Sequence, residues 1–253
     1  MRTTTVVAAF VACMVGAAIG SGVSSTGARA ENVDMLLVLA ADVSRSIDDV
    51  EFNLQRKGYA AAMTDPQVLR AIVGGRNHAI AVTFIEWSGA VDQNVVVDWT
   101  VVRDEEAAGG VAATMLAAPR SFLGRTSISA AIDFAMERFA AAPAEADKRI
   151  IDISGDGTNN SGRAVDEARD HAVAASVTIN ALAIINTQAN PGYAFHIQPP
   201  GGLPKYFEEN VIGGPGAFLL KVDNFDTFAA AITRKLVTEI AAAVPRHQTA
   251  ALP

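Results

Sequence analysis

The chain has 253 residues, half of them apolar, a formal charge of −7 and a single cysteine. That length suits one α/β domain of about 200 residues with a substantial core, and the acidic balance argues against nucleic acid and anionic membrane as main partners. One cysteine excludes an internal disulfide framework and a thiolate metal centre.

The N-terminal stretch differs from the rest. Arg2, an apolar run over residues 6–19, a small polar stretch and Ala28-Arg29-Ala30 before Glu31 read as a secretory signal, cleaved after Ala30. The run falls short of the ~20 residues a membrane span needs, and Cys13 lies inside it instead of at its end, against a lipid-anchored cysteine. Cleavage takes away Arg2 and Arg29 and no acid, so the formal charge goes from −7 to −9 and no cysteine remains. The expected mature protein is secreted, to the periplasm, without a membrane span, and its core is large enough to do without disulfides.

Residues 33–41 are apolar without alternation, as in a strand covered on both faces of a parallel sheet. A helix is expected over about 48–63, with Ile47, Val50 and Leu54 at helical spacing, and a short one after Asp65-Pro66. Residues 78–87 and 94–102 read as two strands, the second a hairpin partner nearer the sheet edge. Residues 104–118 are helical despite Gly109-Gly110, and Pro119 closes that helix. Ile128, Ile132, Ala135, Met136 and Phe139 then make one apolar stripe on a helix starting at Thr126 or Ser127.

The strand 149–154, a loop from Gly155 to Gly162, a helix to about 175 and the strand 177–185 keep strand and helix alternating, which predicts a mostly parallel sheet with right-handed crossovers. Residues 186–215 break the rhythm with several prolines and the aromatics Tyr193, Phe195, Tyr206 and Phe207 around a possible short helix at 204–210. Loops of that length in a compact domain are usually functional or disordered. A last strand at 217–222 and an amphipathic helix marked by Phe225, Phe228, Ile232, Leu236 and Ile240 close a domain spanning 31–243, with 244–253 a flexible tail.

Asp42-Val43-Ser44-Arg45-Ser46 follows the first buried strand. A carboxylate and two spaced hydroxyls at a strand end offer hard oxygen ligands suited to Mg²⁺ or Ca²⁺. The same residues are ordinary turn and cap chemistry, Ser46 with Asp49 resembling a capping box. Thr126 and Asp156 bring two more oxygen donors to the carboxyl edge of the sheet, where open α/β sheets bind ligands. Five oxygen-bearing residues from three loops are harder to explain by capping, and two carboxylates, three hydroxyls and waters fit the six-oxygen demand of Mg²⁺.

Asp42-x-Ser44-x-Ser46, a separate Thr126 and then Asp156 at a strand end resemble the metal-ion-dependent adhesion site of von Willebrand factor type A domains. Ile85-Glu86-Trp87-Ser88, Gly124-Arg125-Thr126-Ser127-Ile128, the phrase from Ile151 to Asn160 and that from Val211 to Phe218 are similar, more narrowly, to a bacterial family of exported type A-like proteins of unknown function. The resemblance implies a doubly wound α/β domain with a six-stranded, mostly parallel sheet between two helix layers. It implies Mg²⁺, with Ca²⁺ or Mn²⁺ as substitutes, held by Ser44, Ser46 and Thr126 directly and by Asp42 and Asp156 largely through water. It also implies an open metal position that takes an acidic residue of a partner protein. The loop Gly155-Asp156-Gly157-Thr158-Asn159-Asn160 departs from the commoner Thr-Asp-Gly opening, which bears on the contact Asp156 makes.

A haloacid-dehalogenase-like phosphatase is the sharpest alternative, since Gly155 to Asn160 matches its Mg²⁺ phrase except at Asn160. That chemistry needs an acid two positions after the nucleophile, where Ser44 stands, and a lysine, for which only Lys148 is near. An EF-hand-like loop from Asp156 fails on Gly162, one place late, and no nucleotide-binding glycine fingerprint or hydrolase nucleophile elbow is present. A structural domain with a vestigial site is a further alternative. No enzymatic activity is expected, Glu86 is a candidate supporting residue, and His78, His171 and His196 read as structural or surface residues.

Overall fold

A strand whose every residue is buried needs helices on both sides of it, and β2 (Leu36–Asp42) has no exposed position along its seven residues. In the computed structural model, which describes residues 30–185 and 199–242, β2 follows the two-residue β1 (Glu31–Asn32). After it come α1 (Asp49–Met63), α2 (Pro66–Val73), β3 (Ile80–Trp87), β4 (Gln93–Val102), α3 (Glu105–Ala117), α4 (Ile128–Ala140), β5 (Ala144–Glu145), β6 (Arg149–Gly155) and α5 (Val165–Ala174). The chain continues through β7 (Thr178–Ile184), α6 (Gly202–Asn210), β8 (Leu219–Val222), a 3₁₀ turn at Phe225–Thr227 and α7 (Phe228–Ala241). The expected signal segment, Tyr193, Phe195 and His196 of the long loop, and the C-terminal tail lie outside the described residues.

Six strands form one sheet in the order β4-β3-β2-β6-β7-β8. All neighbours are parallel except β4, which runs antiparallel to β3 as the edge hairpin partner. From β2 the chain crosses to β3 on one side, and its later part fills β6, β7 and β8 on the other. The order therefore reverses between β2 and β6, and their carboxyl ends, at Asp42 and Gly155, flank the crevice where such sheets take ligands.

Side-chain alternation along β2 divides the core. Leu37, Leu39 and Ala41 join the cluster under α1, α2, α3 and α7, whereas Leu36, Val38 and Ala40 join the one under α4 and α5. Burying both faces of the central strands is what stiffens the sheet edge that carries the loops.

Two features depart from the sequence expectation. Val50, placed by its spacing on the buried stripe of α1, is 68% exposed. The buried face of that helix instead runs through Gln55, Tyr59, Ala62 and Met63, because the helix starts one turn from the sheet edge and its first turn projects beyond the core. The second is a small parallel pairing of β1 with β5, whose two-residue strands have no periodicity to detect.

Candidate metal centre

β2 delivers Asp42, fully buried, to the edge of the sheet, and its Oδ1 accepts the Ser44 N–H at 2.7 Å. This bond turns the chain so that Ser44 and Ser46 bring their hydroxyls within 3.1 Å of each other. The Ser46 hydroxyl donates to Asp156 Oδ1 at 2.7 Å, and Thr126 Oγ1 donates to Ser44 Oγ at 3.4 Å. The five residues singled out in the sequence thus come together from three loops into one hydroxyl–carboxylate cluster. Ser44, Thr126 and Asp156 are buried, and Ser46 is half-exposed at its mouth.

The capping alternatives resolve against the serine and the threonine. The N-cap of α1 is Asp48, in a complete capping box with Glu51, so Ser46 is not the cap residue expected for it. The N-cap of α4 is Ser127, whose hydroxyl accepts from the Ala130 N–H at 3.3 Å. Adjacent residues take the helix ends, and this leaves Ser46 and Thr126 aimed into the cluster.

Electrostatics set this cluster apart from a turn. Burial, and then the neighbouring Asp156 carboxylate, push Asp42 up to about 8, with the Ser44 hydrogen bonds and the Arg120 charge opposing. Asp42 Oδ2 is buried with no hydrogen-bond partner among the described residues. A Cβ on residue 155 would stand 3.1 Å from that oxygen and 3.6 Å from the Trp87 ring, so Gly155 keeps the space beside it open. An orphaned carboxylate oxygen costs about 1–3 kcal/mol or more unless a cation or proton satisfies it. The donor set suits a hard dication, and among the described residues no group of three or more His, Cys, Asp or Glu is arranged to hold a metal. The donors here are hydroxyls and two acids, all hard oxygens of the kind that hold a divalent cation with water.

Residues the sequence left without a role hold these loops together. Arg120 lies with Nη2 at 2.9, 2.9 and 2.7 Å from the carbonyls of Val43, Ser44 and Ile47, and its Nε donates to Phe122 O at 3.0 Å. One guanidinium therefore ties the Asp42 loop to the Thr126 loop. Asn160 accepts the Thr126 N–H on Oδ1 at 3.0 Å and donates its own N–H to Thr126 O at 2.8 Å. Asn159 Oδ1 accepts the Ser129 N–H at 3.0 Å, and its N–H donates to Tyr206 of α6 at 3.1 Å. A lone Arg or Asn in a polar loop carries no spacing signal, so these roles were not legible from the sequence.

Glu86 does support the site, at one remove. Its Oε1 accepts from Arg56 Nη2 at 2.6 Å and its Oε2 from the Ser121 N–H at 3.0 Å. Arg56 in turn reaches the carbonyls of Met115, Ala118 and Pro119, so the buried pair fastens the start of the Thr126 loop. Trp87 is core, Trp99 is partly buried with its indole N–H on Arg138 O at 2.8 Å, and Lys148 sits at the amino end of β6, donating to Glu239 O at 3.2 Å. That is the end of the strand away from Asp156, roughly 26 Å off at 3.3 Å per residue.

Comparison with solved structures places the fold. The mussel byssus proximal thread matrix protein 1, in a form with a zinc-occupied MIDAS motif, superposes with a TM-score of 0.60 at 19% identity, over 83% of this chain and 48% of that one. A von Willebrand factor type A protein from Catenulispora acidiphila gives 0.55 at 16% identity, over 83% and 43%. The conserved hypothetical protein BatB from Bacteroides thetaiotaomicron gives 0.52 at 18% identity, over 82% and 99%. The chain spans about half the length of the mussel protein. At these identities the likeness is one of fold, that of a von Willebrand factor type A-like domain. No curated protein matches the chain. Residues 32–244 match the family described as "Protein of unknown function (DUF1194)", and the chain belongs to that family.

Proposed function

We propose that this domain binds a divalent cation, Mg²⁺ foremost, between Asp42, Ser44, Ser46, Thr126 and Asp156 and uses it to engage an acidic residue of a partner protein. The observation that carries the reading is the pair of buried carboxylates, one with an orphaned oxygen, in a cluster otherwise made of hydroxyls. A dication supplies positive charge there and, balanced by only two carboxylates, an electrophilic position for a third. The chain's own part is to orient the donors: the Ser44 N–H holds Asp42, Ser46 holds Asp156, and Arg120 and Asn160 fix the loops that carry them.

Binding without bond breaking fits this set better than phosphoryl transfer. Ser44, where a phosphatase needs its general acid, is engaged with Ser46 and Thr126, Asn160 is used on the Thr126 backbone, and Lys148 is at the far end of β6. The signal-like residues 1–30 support export, and among the described residues no helix is long and apolar enough to cross a membrane.

The experiment is a binding measurement with a labelled Gly-Gly-Asp-Gly-Gly peptide and the full chain. Binding in Mg²⁺ that EDTA removes and Ser44→Ala weakens at least about tenfold, the worth of one lost metal ligand, is the expected result. Binding that ignores EDTA, or turnover of a generic phosphate ester lost in Asp42→Asn, would overturn the reading. Tyr206 of α6, bonded to the Asp156 loop, puts the described part of the segment 186–215 beside the site and supports a second part of the proposal: this segment tunes partner choice. Replacing residues 187–197 with a Gly/Ser linker should then change which peptides bind while leaving Mg²⁺ affinity intact.

A further inference from the structure

Large apolar side chains stand exposed at five positions among the described residues, and three of them, Val50, Val91 at 90% and Leu123 at 59%, lie at the carboxyl edge of the sheet. A single exposed valine or leucine needs no explanation, but these three sit on segments bonded to one another around the cluster. The Arg45 N–H donates to Gly124 O at 3.0 Å, which sets the Asp42 loop against the residue after Leu123. The Gly124 N–H donates to Ser88 Oγ at 3.2 Å, and Ser88 closes the turn that carries Val91 through its N–H on Asp92 O at 2.9 Å. Arg120 joins Ile47 O and Asp49, the neighbours of Val50, to the same loop.

Positive charge also stands at this rim. Arg56, Arg103, Arg120, Arg138, Arg163 and Arg169 each pair with an acid, whereas Arg70, Arg76, Arg149 and Arg234, away from the site, have none within ion-pair distance among the described residues. Arg45 and Arg125, both exposed and both beside the cluster, pair with none among the described residues. Arg125 uses Nε and Nη2 on Asn160, at 3.3 and 2.7 Å, which fixes its position without neutralising it. In a chain of net charge −7, two guanidinium groups without carboxylates at the mouth of a site read as an electrostatic match to something more acidic than a single carboxylate.

We propose that this rim selects a partner segment with two neighbouring acids flanked by apolar residues. The inference rests on the carboxylate-binding reading above. One acid enters the cluster, the second meets Arg45 or Arg125, and the apolar neighbours cover Val91 and Leu123. A protein segment fits better than an anionic membrane. The rim also carries Asp48 and Asp49, its apolar side chains are short and none is aromatic, and interfacial membrane binding relies on larger apolar faces rich in Lys and Arg.

The test uses the full chain in saturating Mg²⁺ with three labelled peptides: Gly-Gly-Asp-Gly-Gly, Gly-Gly-Asp-Glu-Gly-Gly and Gly-Leu-Asp-Glu-Leu-Gly. The third is expected to bind about tenfold or more tighter than the first, the scale of one charged hydrogen bond. Arg45→Ala and the pair Val91→Ser with Leu123→Ser should each remove part of that gap, leave binding of the first peptide unchanged, and leave the Mg²⁺-induced rise in melting temperature intact. All of these side chains are exposed, so folding is not at stake. Equal affinities for the three peptides, still abolished by EDTA, would overturn the rim inference alone. Failure of every peptide to bind, or binding indifferent to EDTA, would overturn the carboxylate reading with it. Phosphatidylglycerol vesicles that bind the wild type and not Arg45→Ala, with no peptide preference, would assign the rim to membrane and overturn it as well.

Discussion

Asp152 in β6 and Asp156 just past its end are two buried aspartates four residues apart, and the protein treats them in opposite ways. Asp152 faces α7, where the Lys235 ammonium lies 2.6 Å from its Oδ1 and 2.7 Å from Glu239 Oε1, all three side chains being fully out of solvent. Asn180 adds a bond to Glu239 Oε1 at 2.7 Å. Asp156 joins Asp42 at the carboxyl edge, where the orphaned Oδ2 of Asp42 meets no ammonium or guanidinium among the described residues and the nearby Arg120 is committed to carbonyls. Burial raises the carboxyl in both places, Asp152 to about 7 with Glu239 adding and Lys235 opposing, and Asp42 to about 8. Where two buried acids pin a helix, the fold supplies its own cation; at the sheet edge the described residues bring none to Asp42 Oδ2.

The largest effect that could break this comparison is at Lys235. Removing one partner of a buried ion cluster costs about 3–5 kcal/mol, so Lys235→Ala should lower the unfolding free energy read from urea titration by an amount in that range. A loss under about 1 kcal/mol, the worth of an exposed pair, would mean that the cluster under α7 is not held by charge. Arg120→Met comes next, with about 1.5–3 kcal/mol expected for hydrogen bonds made by a charged group. Because both metal-site loops lose their tie, Mg²⁺ affinity should fall with stability, and Arg120→Lys should recover part of each.

pH sharpens the comparison further. Both acids bind their proton more tightly folded than unfolded, rising from 3.8 to about 7 for Asp152 and to about 8 for Asp42. The stability they contribute is therefore present below the unfolded value of 3.8 and is lost as pH climbs through the folded values. The metal-free protein should lose stability on going from pH 4 toward 8, with Asp152→Asn removing the portion that ends near 7 and Asp42→Asn the portion that continues to 8. Stability that rises across this window in metal-free urea titrations would contradict the account. The smallest effect is at Asn160→Ala, about 1 kcal/mol for a hydrogen bond to Thr126, read as a modest drop in melting temperature.

The sequence made the donors legible because each follows a rule of position. Asp42 ends an apolar strand, Asp156 follows another, and Thr126 precedes a strong helical stripe. Their convergence then follows from strand ends sharing one edge. The cap of α1 was read two residues off, at Ser46 instead of Asp48, and that of α4 was left between Thr126 and Ser127, since these are equally good caps by type and only the folded loop decides between them. Val50 was misplaced for a related reason: helical spacing says which side chains share a face, not where the core under that face stops. Arg120, Asn160 and the Asp152–Lys235–Glu239 cluster were invisible because each acts on groups far away in the chain, through side-chain geometry that no local pattern encodes. Asp152 stands in the apolar run Ile150-Ile151-Asp152-Ile153, and Lys235 beside Arg234 reads as a surface lysine.

The most direct test of the central claim is the melting temperature of metal-free protein titrated with Mg²⁺, wild type beside Asp42→Ala. At a hundred times its dissociation constant a ligand adds about 2.7 kcal/mol, which for a domain of this size is a rise of about 5–10 °C. The account predicts that rise in the wild type and none in Asp42→Ala. A wild type that Mg²⁺ leaves unmoved, or a variant that Mg²⁺ stabilises equally, would contradict it.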